Sequence, residues 1–193
     1  MTETANEPTR DPREMLRDTV LRMLHRELAA VQREIEAYPD DESLWRVQPG
    51  ISNSGGTLAL HLAGNLRHFV GAVLGGSGYE RDRDAEFSAR GVARAQVSRE
   101  IGDAMEQTVR ALRSLDPSRL ENDFPIAVGP GVTLRTDVML LHLSVHAGYH
   151  LGQIDYHRRM IAHDATIVGT LPLPALLGPP PELSGEPDMP ADA

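Results

Sequence analysis

The chain has 193 residues, 40% hydrophobic but only 4% aromatic, with a net charge of -9 and no cysteine. That length suffices for one domain with a sizeable core, and a core of Leu, Val, Ile, Met and Ala suits helix packing better than an aromatic-rich sandwich. The acidic balance and missing basic patch exclude a nucleic-acid surface, and the missing thiols exclude disulfides, thiolate metal sites and a protein thiol nucleophile. Any metal must be held by His, Asp or Glu.

The amino terminus, MTETANEPTRDP, lacks the basic start and apolar run of a signal peptide, and no later stretch reaches transmembrane length. The expectation is a cytoplasmic protein. Residues 1–12 and the Pro-rich residues 173–193 carry too little apolar surface to order themselves, so both read as tails flanking one domain over 13–172.

Four helical patterns fill that domain, and the fold class is all-α. The first starts at Arg13 after Pro12 and runs to Tyr38, with Leu16, Val20, Leu24, Leu28, Val31 and Ile35 at helical spacing. A second follows SNSGG, with Ser52 or Ser54 as N-cap, and extends to Leu74 before GGSG. The polar stretch GGSGYERDRDAEFSARG is longer than two adjacent antiparallel helices need, which predicts a crossover along a four-helix bundle. The third pattern runs from Val97 or Ser98 to Leu115, ended by Asp116 and Pro117. The fourth and longest covers Leu134 to His163, opening on a Thr and Asp first turn.

His146 and His150 stand four residues apart in that last helix, so their side chains lie about 40° apart around the axis and about 6 Å apart along it. Two imidazoles so placed can share an ion but leave a tetrahedral site two ligands short. His61, on the second helix beside its apolar stripe, is the best third donor, and three nitrogens with one open position form a catalytic rather than structural arrangement. The blander reading leaves all three as hydrogen-bonded boundary residues. His142 continues the stripe of the pair and could replace one ligand, hydrogen-bond a ligand, or add a fourth, which would close the site. Asn65 and Tyr149 are candidates for contacting the substrate or holding a metal ligand, as are Arg83 and Glu86 of RDRDAEF, where Arg81 is an equal alternative for holding an anion and Glu86 could act as a base. The favoured reading of those charges is structural, as pairs with one another or as pins holding the crossover to the bundle. His68 and His157 fall to the bundle boundary or cavity rim, and His25 and His163 are ordinary. No catalytic residue is singled out.

HLAGNLRHF at 61–69, RDRDAEF at 81–87 and HAGYHLGQI at 146–154 together resemble an uncharacterised branch of the DinB-like (YfiT-type) metal-binding four-helix bundles. The resemblance implies an up-down-down-up course and a divalent ion, zinc or nickel, with His61, His146 and His150 matching its three ligands. His68 departs from it, standing where related sequences often have Gln or another residue. Characterised relatives resemble thiol-dependent transferases and isomerases that use bacillithiol or mycothiol. The function expected is therefore a metal-dependent enzyme of thiol-transferase or hydrolase type, with a low-molecular-weight thiol as candidate cofactor. The alternative is a non-catalytic metal-binding or stress-related bundle. Expected partners are a small-molecule substrate, with neither nucleic acid nor membrane, and a homodimer is an allowed assembly.

Overall fold

The structure, a computed structural model, describes residues 10–169 and 171–181. The tail expectations for 1–9 and 182–193 lie outside those residues. Six α-helices are present: α1 Pro12–Glu36, α2 Asp41–Trp45, α3 Gly55–Leu66, α4 Arg83–Ser88, α5 Arg94–Ser114 and α6 Thr136–Ala162. Four of them are long, and among the described residues there is no strand beyond two isolated bridges, Asp123 with Arg135 and Gly129 with Val132.

α1 begins where Asp11 caps the N–H of Arg13 at 2.8 Å and Pro12 supplies a preset φ at the first position. Its stripe Val20, Leu24, Leu28, Val31 and Ile35 is fully buried. Between the two candidate caps of α3, Ser54 takes the role, its Oγ accepting from the Thr57 N–H at 3.2 Å. The helix does not run on regularly to Leu74: Arg67–Leu74 continues it as a π-helix, closed by the Gly75 N–H bonding five residues back to the Val70 carbonyl at 3.0 Å. α5 and α6 occupy the expected stretches to within a few residues.

α1 and α3 each pack against both α5 and α6, around one core that includes Leu21, Leu62, Ile101, Leu112 and Leu140. A buried ion pair ties α1 to α6, Arg158 Nε donating to Glu34 Oε2 at 2.6 Å, while Arg158 Nη2 reaches the Thr166 carbonyl. The chain beyond α6, expected as a tail from residue 173, makes a short 3-10 turn at Leu173–Leu176, where the Leu176 carbonyl accepts from Arg22 Nε of α1 at 3.1 Å. Two short helices have no counterpart in the sequence reading. α2 is opened by a capping box between Asp40 and Ser43, and α4, within the polar crossover, is N-capped by Asp82. No helix of the described residues is long and apolar enough to cross a membrane.

Candidate metal centre

α3 and α6 bring His61, His146 and His150 together, one ligand atom from each lying within 4.8 Å of the others. Their ring centroids are 5.3 Å apart for His61 and His146, 5.2 Å for His61 and His150, and 4.4 Å for His146 and His150. His146 Nε2 and His150 Nε2 are 3.0 Å apart. Ligands at about 2.0–2.1 Å from one tetrahedral ion sit about 3.3 Å from each other, so this pair is already near coordination spacing. It is the only such group of His and acidic side chains among the described residues.

For His61 and His150 the outer nitrogens fix which atoms face inward. His61 Nδ1 is 3.0 Å from Glu86 Oε2, and Arg81 holds the same carboxylate through Nε at 2.6 Å and Nη2 at 2.8 Å. Burial acts to raise the Glu86 pKa, but the bonds from Arg81 and then His61 outweigh it and hold the carboxyl below its ordinary value. A carboxylate only accepts, and its contact is shorter than the 3.3 Å from Arg81 Nη2 to the same nitrogen, which assigns the His61 proton to Nδ1 and turns a bare Nε2 inward. His150 Nδ1 likewise donates to Gln153 Oε1 at 2.7 Å, leaving its Nε2 bare.

His146 Nδ1 is buried without a hydrogen-bond partner. A neutral His146 has one N–H and one lone pair, so the three rings together leave three lone pairs and a single N–H to satisfy. Burial, and then the positive charge that His150 and His61 would carry, push the His146 pKa down to about 4, and burial lowers that of His150 as well. Neutral imidazoles with unmatched lone pairs are what a divalent cation requires, and the donor set fits one.

Glu86 reaches His61 because residue 64, one turn along α3, is glycine: a Cβ there would collide with Glu86 Oε1. The carboxylate is delivered by α4, so the short helix missed in the crossover positions the support of a ligand on α3.

Arg81, and not Arg83, bonds to Glu86; Arg83 is exposed, with its guanidinium 4.9 Å from the Phe87 ring centroid. His142 is exposed and stacks on His146 with centroids 6.0 Å apart, outside the three-histidine group. Asn65 is buried with Oδ1 unpartnered. Tyr149 is 63% exposed with its ring 5.3 Å from that of His150. His68 is half-buried in the π segment against Phe69. His157 belongs to another network: Tyr38 Oη donates to its Nδ1 at 2.6 Å, and its Nε2–H donates to the Arg46 carbonyl at 2.8 Å. Gln153 had no role in the sequence reading, although its spacing of three residues from His150 on one helix signals such a bond.

His150 opens onto a cavity of about 590 Å³ between the loop 48–53 and α6. Tyr149, Gln153, Tyr156 and Met160 line it from the helix, and Gln48, Asn53 and Ile51 from the loop. Arg or Lys, Asp and Glu are all absent from its lining.

A family model described as "Protein of unknown function (DUF1572)" matches residues 13–173. No curated protein and no solved structure matches the chain.

Proposed function

Because the chain belongs to this family of unknown function, we propose from the site itself that it is a DinB-like four-helix bundle of up-down-down-up course, with one divalent ion, zinc or nickel, held by His61, His146 and His150. The reading rests above all on one observation: three converging imidazoles, two of which, His61 and His150, have their inward nitrogens left bare by the bonds of Nδ1 to Glu86 and Gln153. His142 stands outside the group, so the site has three protein ligands, which leaves a fourth coordination position open, and one of the three, His150, also lines the neighbouring cavity. That openness favours an enzyme over the structural alternative.

The ion supplies Lewis acidity, favouring the deprotonated form of a nucleophile at neutral pH. The protein's own groups do the rest. Arg81 keeps Glu86 ionised, Glu86 keeps the His61 proton on Nδ1, and Gln153 does the same for His150. The cavity orients the substrate and limits water, with Tyr149 offering a hydroxyl at its mouth. The chain has no cysteine, so the nucleophile comes from outside, as water or a low-molecular-weight thiol. A wall without charged side chains selects a neutral, largely apolar substrate arm. The reaction proposed is metal-dependent hydrolysis or thiol transfer to such an electrophile.

The test is a screen of neutral electrophilic substrates, with and without bacillithiol, mycothiol and glutathione, using metal-loaded and chelator-stripped protein. Turnover that needs the metal and fails in His150→Ala is expected. Turnover unchanged by stripping would overturn the assignment.

A further inference from the structure

α6 is apolar on two sides. Its inner side enters the core, while Val138, Leu141, Val145, Tyr149, Tyr156 and Met160 point outward and are 45–72% exposed. Between Val138 and Met160 no exposed residue carries a charge, in a chain whose residues are 24% charged. Patches of this kind on a helix face mark an interface.

The positions 138, 141, 145, 149, 152, 156 and 160 advance by three, four, four, three, four and four residues. This 11-residue repeat lies close to the 3.6 period, so the stripe runs almost straight along the helix. Extended to His163, the spacing reads the same from either end. Position 149 then mirrors 152, 145 mirrors 156, and 141 mirrors 160. Laid antiparallel on a second α6 across a two-fold axis at the middle of the stripe, Tyr149 meets Gly152, Val145 meets Tyr156 and Leu141 meets Met160. Large groups face smaller ones at the two central pairs.

Gly152 supports this pairing independently. A Cβ there would meet nothing within 4 Å, so nothing in its own chain calls for glycine, which costs about 1 kcal/mol relative to Ala in a helix interior. A bulky ring arriving from outside does call for it. The described C-terminal segment does not cover the stripe, since its turn at Leu173–Leu176 lies against α1. The six exposed side chains present on the order of 700 Å² per chain, close to the roughly 800 Å² per partner of a stable interface.

We infer that the outer face of α6 is a two-fold, antiparallel interface between two copies of this chain, with Tyr149 of each copy seated over Gly152 of the other. Tyr149, Tyr156 and Met160 also line the cavity at His150, so the second α6 walls that cavity.

Sedimentation and light scattering at tens of micromolar should give a mass about twice the 21.1 kDa of one chain. Val145→Glu buries an unpaired carboxylate against Tyr156 of the other copy and should yield a monomer with unchanged far-UV circular dichroism. Adding Tyr156→Lys to it should restore the dimer. The cysteine-free background permits a second, fold-tolerant arm: Leu141→Cys with Met160→Cys should be cross-linked between chains by a short bis-maleimide, and Leu141→Cys alone should not. A monomeric wild type, a Val145→Glu protein that remains dimeric, or cross-linking of the single variant would overturn the inference.

Discussion

Glu86 Oε2 lies 3.0 Å from His61 Nδ1, although the two residues sit on different helices and the carboxylate is also held by both Arg81 Nε and Nη2. The contact orients the one imidazole that α6 does not supply. It also makes the imidazole a stronger donor, because a buried anion behind the ring favours electron density at Nε2.

Glu86→Gln removes that anion while keeping the shape. Metal affinity should fall about 10–100-fold, measured by competition with a chromophoric chelator, with the helical content unchanged. An affinity equal to wild type would show that Glu86 only pins the crossover.

Gly64→Ala separates helix propensity from site geometry. Alanine by itself favours a helix interior by about 1 kcal/mol, yet its Cβ would occupy the space of the Glu86 carboxylate. The variant should lose metal affinity in the same range as Glu86→Gln without losing the fold. Retained affinity would mean that Glu86 can approach His61 by another path.

His157→Ala is expected to do the reverse. Metal content should stay at the wild-type level, while the buried Tyr38 hydroxyl and the Arg46 carbonyl lose their partner. Leaving the buried hydroxyl with only its long contact to the Ile154 carbonyl, at 3.5 Å, costs about 1–3 kcal/mol, read as a lower urea midpoint. Loss of metal in this variant would place His157 in the site.

Stability of the chelator-stripped protein should fall on acidification. Burial holds His146 at about 4 and lowers His150 and His157, whereas the unfolded chain takes up protons at ordinary imidazole values of about 6.5. The unfolded state therefore binds more protons in this window, so stability is full above about pH 6.5 and is lost as pH falls toward 4. Thermal midpoints between pH 7.5 and 4.5 measure this, and a flat profile would contradict it. Added metal should sharpen the dependence, since protons and the ion compete for the same nitrogens.

Legibility in the sequence followed the length of the signal. The four long helices announce themselves through apolar spacing and through Pro12 and Ser54 at their starts, and these survive in the structure. α2 and α4 are five and six residues long, too short for a helical period to register. The π segment after Leu66 was invisible because the apolar residues Phe69, Val70 and Val73 fit an ordinary helix equally well. At the site, the His146 and His150 pair follows from spacing within one helix. His61 does not follow from spacing, because its approach depends on packing between α3 and α6; its place beside the apolar stripe makes it a candidate donor, and the likeness of the motifs singles it out. Arg81 and Arg83 were not separable in RDRDAEF, since which one faces Glu86 depends on where α4 begins. Gly64 reads as a helix weakness until the carboxylate beside it is seen.

The most direct measurement is elemental analysis of untagged protein beside His150→Ala, purified identically. The account predicts about one zinc or nickel ion per wild-type chain and almost none in the variant. Equal metal in the two proteins, or none in either after purification with added zinc and nickel, would contradict it.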